Sequence, residues 1–449
     1  MQRLDETHDP ARASWVAGAD TPGSEFPIQN LPFCVFSTPD RRQRTGVCIG
    51  ERVVDVEALI DRDLLRGEAL AAAILARGDS LNALMEAGRA PARALRRALA
   101  DLLDVRGPHA NEARRSADTI LVDRRSARFH LPTRIGGFTD FLTSTYHTER
   151  GGRHTRPDAP LPPAFKHLPI AYNSRPSSVR ISGEPVIRPH GQFPDRDGRI
   201  VFGPTRAFDF ELEVGLFIAG NNALGAPVPI GEAEERMLGL VLLNDWSSRD
   251  VQRWESHPLG PFLSKSVSTT ISPFVVTLDA LEPFRTTRFA RAPEDPAPLS
   301  YLDDPTDAAR GGFDIALTCD LESARMRARG REPARITRTN FRHMYWTFAQ
   351  MLTHHTSNGC NLQAGDLLGS GTTSGPTDEA RACFAELSER GTIPLDIGDS
   401  ETRGFLEEGD EVVFRGRAER SGFAPIGFGT CIGRVEPAIP YPVANPRGV

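Results

Sequence analysis

The stretch from residue 208 to residue 217, FDFELEVGLF, constrains the fold more than any other part of the chain. Asp209, Glu211 and Glu213 alternate with apolar residues, and this period of two predicts a β-strand. Side chains two positions apart on a strand share a face and lie about 6.6 Å apart. One face of the predicted strand is therefore apolar, while the other carries three carboxylates.

Two environments can accommodate this acidic face. In water, two neighbouring carboxylates repel each other by roughly 0.6 kcal/mol, and a solvent-facing strand is the simpler interpretation of the stretch alone. At an effective dielectric constant of ~20 each neighbouring pair costs about 2.5 kcal/mol, so an enclosed face requires a positive partner. A hard metal cation is the obvious candidate, and only other parts of the chain distinguish the two environments.

The composition excludes several classes of function. The 449 residues carry 53 basic and 59 acidic side chains and a net charge of −6, which gives no reason to expect nucleic acid or a membrane as a partner. No apolar run approaches the ~18 residues of a membrane span, and the first twenty residues lack the pattern of a secretory signal. We therefore expect a globular, cytoplasmic protein.

Cysteine and histidine form no metal-binding pattern in the sequence. The six cysteines are scattered without a C-x-x-C pair, which is typical of free thiols in a reducing compartment. Among eleven histidines only His354 and His355 are adjacent, and neighbours in sequence rarely point at one metal. A zinc site is therefore not expected.

Short alternating runs separated by Gly and Pro dominate the chain and predict a mainly β protein of the α+β class. Residues 1–20 are rich in charge and alanine and are predicted to form a flexible tail. Residues 21–131 combine short strands with Ala- and Leu-rich helices, and the alternation restarts near residue 132. We therefore place an amino-terminal domain at 21–131 and a larger, catalytic domain at 132–449.

Two further stretches combine acids with side chains that commonly take part in catalysis. In GGFTDFLTSTYHTE, Asp140 precedes His147 by seven residues, although a single histidine is more often structural than catalytic. In LGLVLLNDWSSRDVQRWE, an apolar strand runs into Asp245, and the following helix places Arg249 and Gln252 three positions apart on one face. Taken alone, Asp245 is more often a helix cap and Arg249 a solvated charge.

Lysine is rare in this chain. Of the 53 basic residues only Lys166 and Lys265 are lysines, which favours a specific use for each, with chance as the alternative. Lys265 lies in PLGPFLSKSVSTT, a loop of small and apolar residues with almost no other charge nearby. A lysine in such a loop requires an acidic partner or a substrate.

Taken together, these stretches resemble the fumarylacetoacetate hydrolase family. The similarity is carried by NDWSSRDVQRWE followed by PLGPFLSKS, by FDFELEVG, by TDF seven residues before His147, by THHTSNGCNLQAGDLLGSGTTSGP and by the amino-terminal FPIQNLPFCVFST. It covers about residues 25 to 440, with the motifs in the family's order. Because the shorter relatives lack an amino-terminal domain, the similarity is to the two-domain branch of the family.

The resemblance implies an architecture and a metal site. It implies an SH3-like barrel as the amino-terminal domain, a mixed β-roll or sandwich as the carboxyl-terminal domain, and a homodimer. It implies four carboxylate ligands, with a lysine and a threonine beside the metal: Asp140, Glu211, Glu213, Asp245, Lys265 and Thr269. Four carboxylates without a nitrogen or sulfur ligand suit Mg²⁺ or Ca²⁺, and the sequence does not choose between the two. Asp209 is not usually counted as a ligand.

The same resemblance implies hydrolysis of a carbon–carbon bond in a 1,3-diketo acid. His147 matches the general base that takes a proton from water, and Glu386 in CFAELSERG matches the group that orients the imidazole. Arg249, Gln252 and Lys265 match donors that stabilise the developing alkoxide. The most direct expectation is the conversion of 4-fumarylacetoacetate to fumarate and acetoacetate, in tyrosine and phenylalanine catabolism.

The substrate contacts are where the sequence departs from the family. Six positions match the family's substrate contacts: Arg156, Tyr172, Gln252, Thr372, Leu142 and Ser256. Leu142 and Ser256 replace tyrosines, and each lost phenol removes a hydrogen bond worth about 0.5–1.5 kcal/mol. The alternatives are therefore hydrolysis of another diketo acid or acylpyruvate, or a decarboxylase or isomerase of the same superfamily.

Overall fold

A large central sheet organises the structure, which is a computed structural model that describes residues 4–442. The strands of the central sheet come from the carboxyl-terminal part of the chain. A second sheet from the same part packs on one face, and the amino-terminal part packs on the other. The candidate site lies where several of the central strands end.

The amino-terminal part contains one antiparallel sheet flanked by helices. Its strands are β1 Phe33–Thr38, β2 Arg41–Ile49, β3 Arg52–Asp55, β4 Leu121–Asp123 and β5 Arg128–His130. Its helices are α1 Val56–Asp61, α2 Gly67–Ala76, α3 Asn82–Glu86, α4 Arg89–Leu103, α5 Ala110–Arg115 and α6 Ala117–Ile120, with a 3₁₀ turn at Glu6–His8. The sheet has the order β4-β3-β2-β1-β5. The SH3-like description of this unit stays a prediction.

The carboxyl-terminal part contains most of the strands. These are β6 Phe138–Leu142, β7 Ile170–Asn173, β8 Val179–Ile181, β9 Val186–Ile187, β10 His190–Pro194, β11 Ile200–Pro204, β12 Phe208–Asp209, β13 Leu212–Ile218, β14 Met237–Asp245, β15 Ser247–Ser248, β16 Thr269–Ile271, β17 Val276–Thr277, β18 Arg285–Thr286, β19 Gly312–Phe313, β20 Ala316–Glu322, β21 Ala334–Asn340, β22 Leu367–Gly369, β23 Leu395–Gly398, β24 Glu401–Arg403, β25 Glu411–Ala418 and β26 Ile426–Glu436. Its α-helices are α7 Thr145–Gly152, α8 Ile230–Ala233, α9 Arg249–Glu255, α10 Pro305–Arg310, α11 Ala324–Ala328, α12 Phe348–Thr356 and α13 Phe384–Leu387. Its 3₁₀ turns are Pro176–Ser178, Glu234–Arg236, Glu282–Phe284, Ser300–Leu302, Phe341–His343 and Asp378–Ala380.

Two sheets in this part are mixed. The central sheet runs β7-β6-β22-β13-β14-β16-β8, with β17 also paired to β14, and its β6–β22 and β16–β8 pairs are parallel. The second sheet runs β21-β20-β25-β26-β9, and its β26–β9 pair is parallel. Mixed sheets and dispersed helices confirm the α+β expectation.

Strand β14 shows why the central sheet is buried on both faces. Its sequence MLGLVLLND is an uninterrupted apolar run until its last two residues, as expected for a strand covered on both sides. Leu240 and Leu242 contribute to the core shared with the second sheet, while Val241 and Leu243 contribute to the core shared with the amino-terminal helices. The polar end of β14, reached at Asp245, enters the candidate site.

The segment predicted as a tail packs against the amino-terminal unit in its described part. Thr7 and Val16 are buried, and the indole of Trp15 donates a hydrogen bond to the Leu102 carbonyl in α4. Helix α4 also reaches the carboxyl-terminal part, because buried Arg89 pairs with Asp279. The domain boundaries at 20/21 and 131/132 stay predictions. Within residues 4–442, every helix is too short or too polar to span a lipid bilayer.

Asp307 in α10 is a buried acid outside the candidate site. Its Oδ1 accepts a hydrogen bond of 2.7 Å from Thr347 Oγ1, while its buried Oδ2 has no hydrogen-bond partner among the residues that the structure describes. Burial outweighs this hydrogen bond and raises the pKa of Asp307 from 3.8 to about 6. Because the folded state binds the proton more tightly than the unfolded chain, ionisation of Asp307 costs stability, and the cost grows as pH rises through 6.

We expect Asp307→Asn to stabilise the protein more at pH 8 than at pH 5. With pKa values of about 3.8 unfolded and about 6 folded, the gain over wild type should increase by about 1.5 kcal/mol between these pH values. Chemical denaturation at both pH values measures the difference. Asp378→Asn is the control: the Asp378 side chain is 88% exposed, and this surface substitution should change stability by less than about 0.5 kcal/mol at either pH. A gain that does not change with pH would contradict the assignment.

Candidate active site

The acidic stretch FDFELEVG is not one continuous strand. Phe208 and Asp209 pair with β15, whereas β13 begins only at Leu212 and pairs with β14. Between them, the Glu211 backbone N–H donates to the side-chain oxygen of Asn244 in β14 rather than to a backbone carbonyl of that strand. The prediction of one continuous strand carrying all three carboxylates was therefore wrong. Asp209 and Glu211 nevertheless share one partner, because both contact the Arg249 guanidinium.

Four carboxylates converge at one end of the central sheet. Asp140 lies in β6, Glu213 in β13 and Asp245 at the end of β14, while Glu211 lies in the break before β13. One oxygen from each of the four can be chosen so that all lie within 4.8 Å of one another, and all four side chains are buried. Glu211 and Glu213 therefore lie in an enclosed environment and do not face solvent.

A glycine leaves room for these carboxylates. Gly369 in β22 lies opposite Asp140 in the parallel β6–β22 pair. A Cβ atom at this position would lie 2.4 Å from Asp140 Oδ1 and 3.2 Å from Glu213 Oε2. Any other residue at 369 would therefore displace the carboxylates from the cluster.

Two oxygens of the cluster have no hydrogen-bond partner among the described residues. Asp140 Oδ1 and Glu213 Oε1 are both buried and accept no hydrogen bond. Burial and the charge of Asp245 raise the pKa of Asp140 to about 8, and burial and Asp140 raise the pKa of Glu213 well above its usual value. A buried, unpaired acceptor costs about 1–3 kcal/mol or more if charged. A divalent cation would satisfy both oxygens and offset the repulsion.

Other side chains of the cluster already have partners. Lys265 Nζ forms ion pairs with Glu211 and, at 2.8 Å, with Asp245 Oδ2. Burial opposes the charge of Lys265, but Asp245 and Glu211 outweigh it and raise the lysine pKa. Thr269 Oγ1 donates to Asp245 Oδ1 at 3.1 Å. The sequence-based expectation that Lys265 has an acidic partner therefore holds.

Tyr172 is placed among the carboxylates. Its hydroxyl lies 2.8 Å from Asp140 Oδ2 and 2.8 Å from Asp245 Oδ2. Because one hydroxyl proton can be donated to only one of them at a time, Tyr172 bridges two strands of the sheet through a shared hydrogen bond. Burial and the neighbouring carboxylates raise the pKa of Tyr172, so the phenol keeps its proton.

Arg249 joins the carboxylate cluster to the rest of the site. Its Nε donates to Asp209 Oδ2 at 2.7 Å, its Nη1 donates to Gln252 Oε1 at 3.1 Å, and its Nη2 lies 2.8 Å from Glu211 Oε1. Burial opposes ionisation of Glu211, but the charges of Lys265 and Arg249 outweigh it and lower the Glu211 pKa. Arg249 and Lys265 thus flank Glu211.

Asp209 connects Arg249 to helix α13. Its carboxylate accepts backbone hydrogen bonds from Phe384 N at 2.6 Å and Ala385 N at 2.9 Å, at the amino-terminal end of that helix. These N–H groups lack partners within the helix, and an acceptor carboxylate stabilises them. Asp209 therefore orients both Arg249 and the helix that carries Glu386.

His147, which is partly exposed, pairs with the buried Glu386. The imidazole Nδ1 lies 2.6 Å from Glu386 Oε1, and Ser374 Oγ donates to the same oxygen at 2.5 Å. Although burial opposes its ionisation, interactions with His147, Ser374 and Arg150 hold the pKa of Glu386 at about 2. Glu386 is therefore a carboxylate at neutral pH. A carboxylate at Nδ1 favours the tautomer that leaves Nε2 free to accept a proton.

The predicted substrate-contact residues are placed in different surroundings. Thr372 is buried beside Gly371, whose N–H donates to Glu213 Oε2 at 3.0 Å. Leu142 packs against an aromatic cluster formed by Phe165, Leu302, Tyr345 and Trp346. The Ser256 hydroxyl donates to the Gln252 carbonyl at 2.6 Å. Arg156 is exposed and donates to the carbonyl of Pro160 in its own loop, so the structure does not bring it to the cluster.

The sequence analysis did not predict three contacts of the site. Ser374 and Arg150 each donate a hydrogen bond to Glu386, and the Asp209 carboxylate accepts one from the start of α13. Arg150 lies three residues after His147, and this spacing on one helix was a usable signal. Ser374 and Asp209 reach residues distant in sequence, and no local pattern marks such contacts.

Comparisons with known proteins agree with this geometry. A model of the fumarylacetoacetate hydrolase C-terminal domain matches residues 138–436, and a model of the fumarylacetoacetase N-terminal domain matches residues 29–132. The chain belongs to the fumarylacetoacetate hydrolase family. The resemblance read from the sequence motifs is therefore confirmed, as is the presence of both domains of the two-domain branch.

The chain aligns with two curated relatives over nearly their whole length. The chain is 44% identical to a fumarylacetoacetase from Bos taurus, over 93% of this chain and 98% of that protein. It is also 44% identical to a fumarylacetoacetase from Homo sapiens, over 93% of this chain and 97% of that protein. These comparisons confirm the expected class of enzyme, a hydrolase of carbon–carbon bonds, and do not favour the decarboxylase or isomerase alternatives.

A solved structure supports the fold alone. A fumarylacetoacetate hydrolase from Exiguobacterium antarcticum aligns with a TM-score of 0.51 and 16% identity. The alignment covers 91% of this chain and 99% of that one.

We expect Glu213→Gln to weaken the binding of a divalent cation. Loss of a residue that only supports a metal ligand typically lowers the affinity roughly 10- to 100-fold, and loss of the carboxylate itself should lower it further. The variant loses a negative charge and one of the two carboxyl groups that carry an unpartnered oxygen. Isothermal titration calorimetry with Mg²⁺ and with Ca²⁺ measures the affinity. Glu386→Gln is the matched control, because Glu386 is a buried acid outside the cluster and its loss should leave the affinity nearly unchanged. Equal affinities for wild type and Glu213→Gln would contradict a cation site here.

Proposed function

We propose that the protein hydrolyses a carbon–carbon bond in a 1,3-diketo acid, with 4-fumarylacetoacetate as the substrate, giving fumarate and acetoacetate. The observation that carries this proposal is the 2.6 Å His147–Glu386 pair in a chain that also encloses four carboxylates at one end of its central sheet. Relatives that are 44% identical over nearly their whole length are fumarylacetoacetases, which supports the same substrate for this chain.

His147 acts as the general base. Glu386 remains ionised and holds Nδ1, so that Nε2 takes a proton from water as the oxygen attacks the ketone carbonyl. Ser374 donates a second hydrogen bond to the same Glu386 oxygen. The resulting alkoxide collapses to a carboxyl group, and the carbon–carbon bond breaks. The leaving carbon atom then takes the proton from His147, so the base is regenerated.

Arg249, Gln252 and Lys265 stabilise the developing negative charge. Arg249 and Lys265 are buried cations that both contact Glu211, and Gln252 contacts Arg249. Donors fixed before the reaction cost no reorganisation when charge develops, and they act strongly where water is excluded. Arg156 is proposed to contact the substrate carboxylate, and its exposed position in the loop after α7 requires that this loop closes over the substrate.

The carboxylate cluster is proposed to hold Mg²⁺ or Ca²⁺ through Asp140, Glu211, Glu213 and Asp245. Both ions prefer carboxylate oxygens, and the unpartnered oxygens of Asp140 and Glu213 support this choice. When bound, the ion supplies Lewis-acid stabilisation of the oxygen atoms of the dicarbonyl unit. Lys265 and Thr269 orient Asp245 for this role.

Substrate selectivity follows from the altered contacts. Leu142 adds to an aromatic cluster, and the Ser256 hydroxyl is engaged by its own helix, so neither supplies a phenolic hydrogen bond to the substrate. We propose that Tyr172 and Thr372 remain near the bound diketo acid, since they lie beside the carboxylates. A panel that includes acylpyruvates tests whether an apolar Leu142 changes the preferred substrate.

We expect purified protein with Mg²⁺ or Ca²⁺ to cleave 4-fumarylacetoacetate into two carboxylic acids without release of CO₂. His147→Ala should lower kcat by about 10²- to 10⁴-fold, the range typical of losing a general base. Product analysis and steady-state kinetics on a panel of diketo acids, with and without chelator, measure both. Cleavage of acylpyruvates with no turnover of fumarylacetoacetate would overturn the proposed substrate. Full activity of His147→Ala would overturn the proposed base.

We also propose that the protein is a homodimer. An exposed apolar segment supports this state, because Leu259, Phe262 and Leu263 are 96%, 67% and 53% exposed in the loop after α9. Clustered apolar surface of this kind marks interfaces more often than free surface. Sedimentation equilibrium should give the dimer mass for wild type and the monomer mass for the double variant Leu259→Asp, Phe262→Asp. Leu224→Asp, at an exposed leucine in the 219–229 loop, should leave the dimer intact. A monomeric wild type would contradict the proposal.

A further inference from the structure

Helix α7 contacts both oxygens of the Glu386 carboxylate. His147 Nδ1 lies 2.6 Å from Oε1, and Arg150 Nη1 donates to Oε2 at 2.9 Å. Residues three apart on a helix lie on one face, so one turn of α7 presents both side chains to the same acid. Glu386 is therefore held from both edges by a single helix.

The other side of the Arg150 guanidinium holds the loop that leads from β22. Its Nη2 donates to the carbonyls of Gly375 at 3.0 Å and Thr377 at 3.2 Å, with Pro376 O at 3.4 Å. The three carbonyls follow directly after Ser374 in the same loop, and the Ser374 hydroxyl donates to Glu386 Oε1. Arg150 thus links α7, Glu386 and the loop that carries the third donor to Glu386.

We propose that Arg150 is a positioning residue that locks the Glu386 carboxylate against His147. The inference rests on the proposed role of the His147–Glu386 pair as the general base and its partner. Within residues 4–442, Arg150 forms no hydrogen bond or ion pair with the carboxylate cluster. It acts on the reaction only through Glu386 and through the loop at 375–377.

The physical basis is the geometry of a guanidinium. A carboxylate that is held at only one oxygen can rotate about its terminal torsion, because this angle has a broad distribution in proteins. Such a rotation would also displace the hydrogen-bonded imidazole. A second, charged donor on the opposite oxygen removes this freedom, and arginine supplies several donors in one rigid plane. Here that plane reaches the acid and the loop carbonyls together. A lysine supplies the charge but cannot make both contacts with the same geometry.

Substitution of Arg150 should change the rate of the chemical step and leave substrate binding nearly unchanged. We expect kcat to fall about 10-fold in Arg150→Lys and about 100-fold in Arg150→Ala, the scale of a misplaced catalytic group. KM and the affinity for Mg²⁺ or Ca²⁺ should stay within about 3-fold of wild type, because Arg150 makes no contact with the cluster. Arg153→Gln is the matched control: Arg153 follows α7, is 67% exposed and should leave kcat unchanged.

Chemical rescue separates positioning from a general loss of structure. Arg150 borders a cavity of about 540 Å³ that also exposes parts of Glu386, Tyr146 and Arg381, so a small cation has access to the vacated position. Added guanidinium at millimolar concentration should restore at least part of kcat in Arg150→Ala and should not raise kcat in Arg153→Gln. Thermal unfolding establishes that each variant is folded. A folded Arg150→Ala that guanidinium does not rescue would overturn the inference.

A spectroscopic readout tests the inference without turnover. In protein with ¹⁵N-labelled histidine, the His147 Nδ1–H held by Glu386 should give a protected downfield proton resonance, assigned by its absence in His147→Ala. We expect this resonance to broaden or disappear in Arg150→Ala and to persist in Arg153→Gln. If wild type fails to hydrolyse any diketo acid, the proposed function fails, and the resonance still decides on Arg150. Unchanged kcat together with an unchanged resonance in Arg150→Ala would overturn the inference while leaving the proposed function intact.

Discussion

The burial of several carboxylates at one end of the central sheet is the constraint on which the site depends. Water is excluded from Asp140, Glu211, Glu213 and Asp245, so their mutual repulsion must be offset inside the protein. Lys265 and Arg249 supply two positive charges, and both are directed at Glu211. Within residues 4–442, Asp140 and Glu213 each retain an oxygen without a hydrogen-bond partner. Burial and the neighbouring carboxylates raise the pKa values of both acids. The fold thus leaves a place for a divalent cation.

The same strands that create this repulsion also arrange the reaction chemistry. Asp209 lies in β12, before the break in the acidic stretch. Its carboxylate accepts hydrogen bonds from Arg249 and from the backbone N–H groups at the start of α13. Helix α13 carries Glu386, and α7 carries His147 toward it. The cation ligands, the anion-stabilising arginine and the base are therefore connected by a short chain of buried contacts. A displacement of Asp209 would disturb Arg249 and Glu386 together.

The sequence predicts many residues of the site, but it does not predict the contacts that depend on the tertiary fold. The sequence predicts the apolar strand that runs into Asp245, whereas the acidic stretch alone favours a solvent-facing strand. Only the resemblance to the family implied that Glu211 and Glu213 face a cation. The break after Asp209 was not predictable, because it depends on the side chain of Asn244, which replaces a strand contact for Glu211. The contact of Arg150 with Glu386 joins residues 236 positions apart. The packing of Leu142 against aromatic residues likewise required tertiary contacts. Local patterns therefore identified residue types, while partners depended on the fold.

Binding of a divalent cation between the four carboxylates is the property of the site that an experiment can test most directly. Lysine and arginine neutralise only part of the charge of the cluster, and we propose that a divalent cation between the carboxylates offsets the rest. Mn²⁺ accepts the same oxygen ligands and scatters X-rays anomalously. A crystal structure of protein soaked in Mn²⁺ should show one anomalous peak within bonding distance of Asp140, Glu211, Glu213 and Asp245. A fully soaked crystal without a peak between these residues, or with their side chains turned to solvent, would contradict the account.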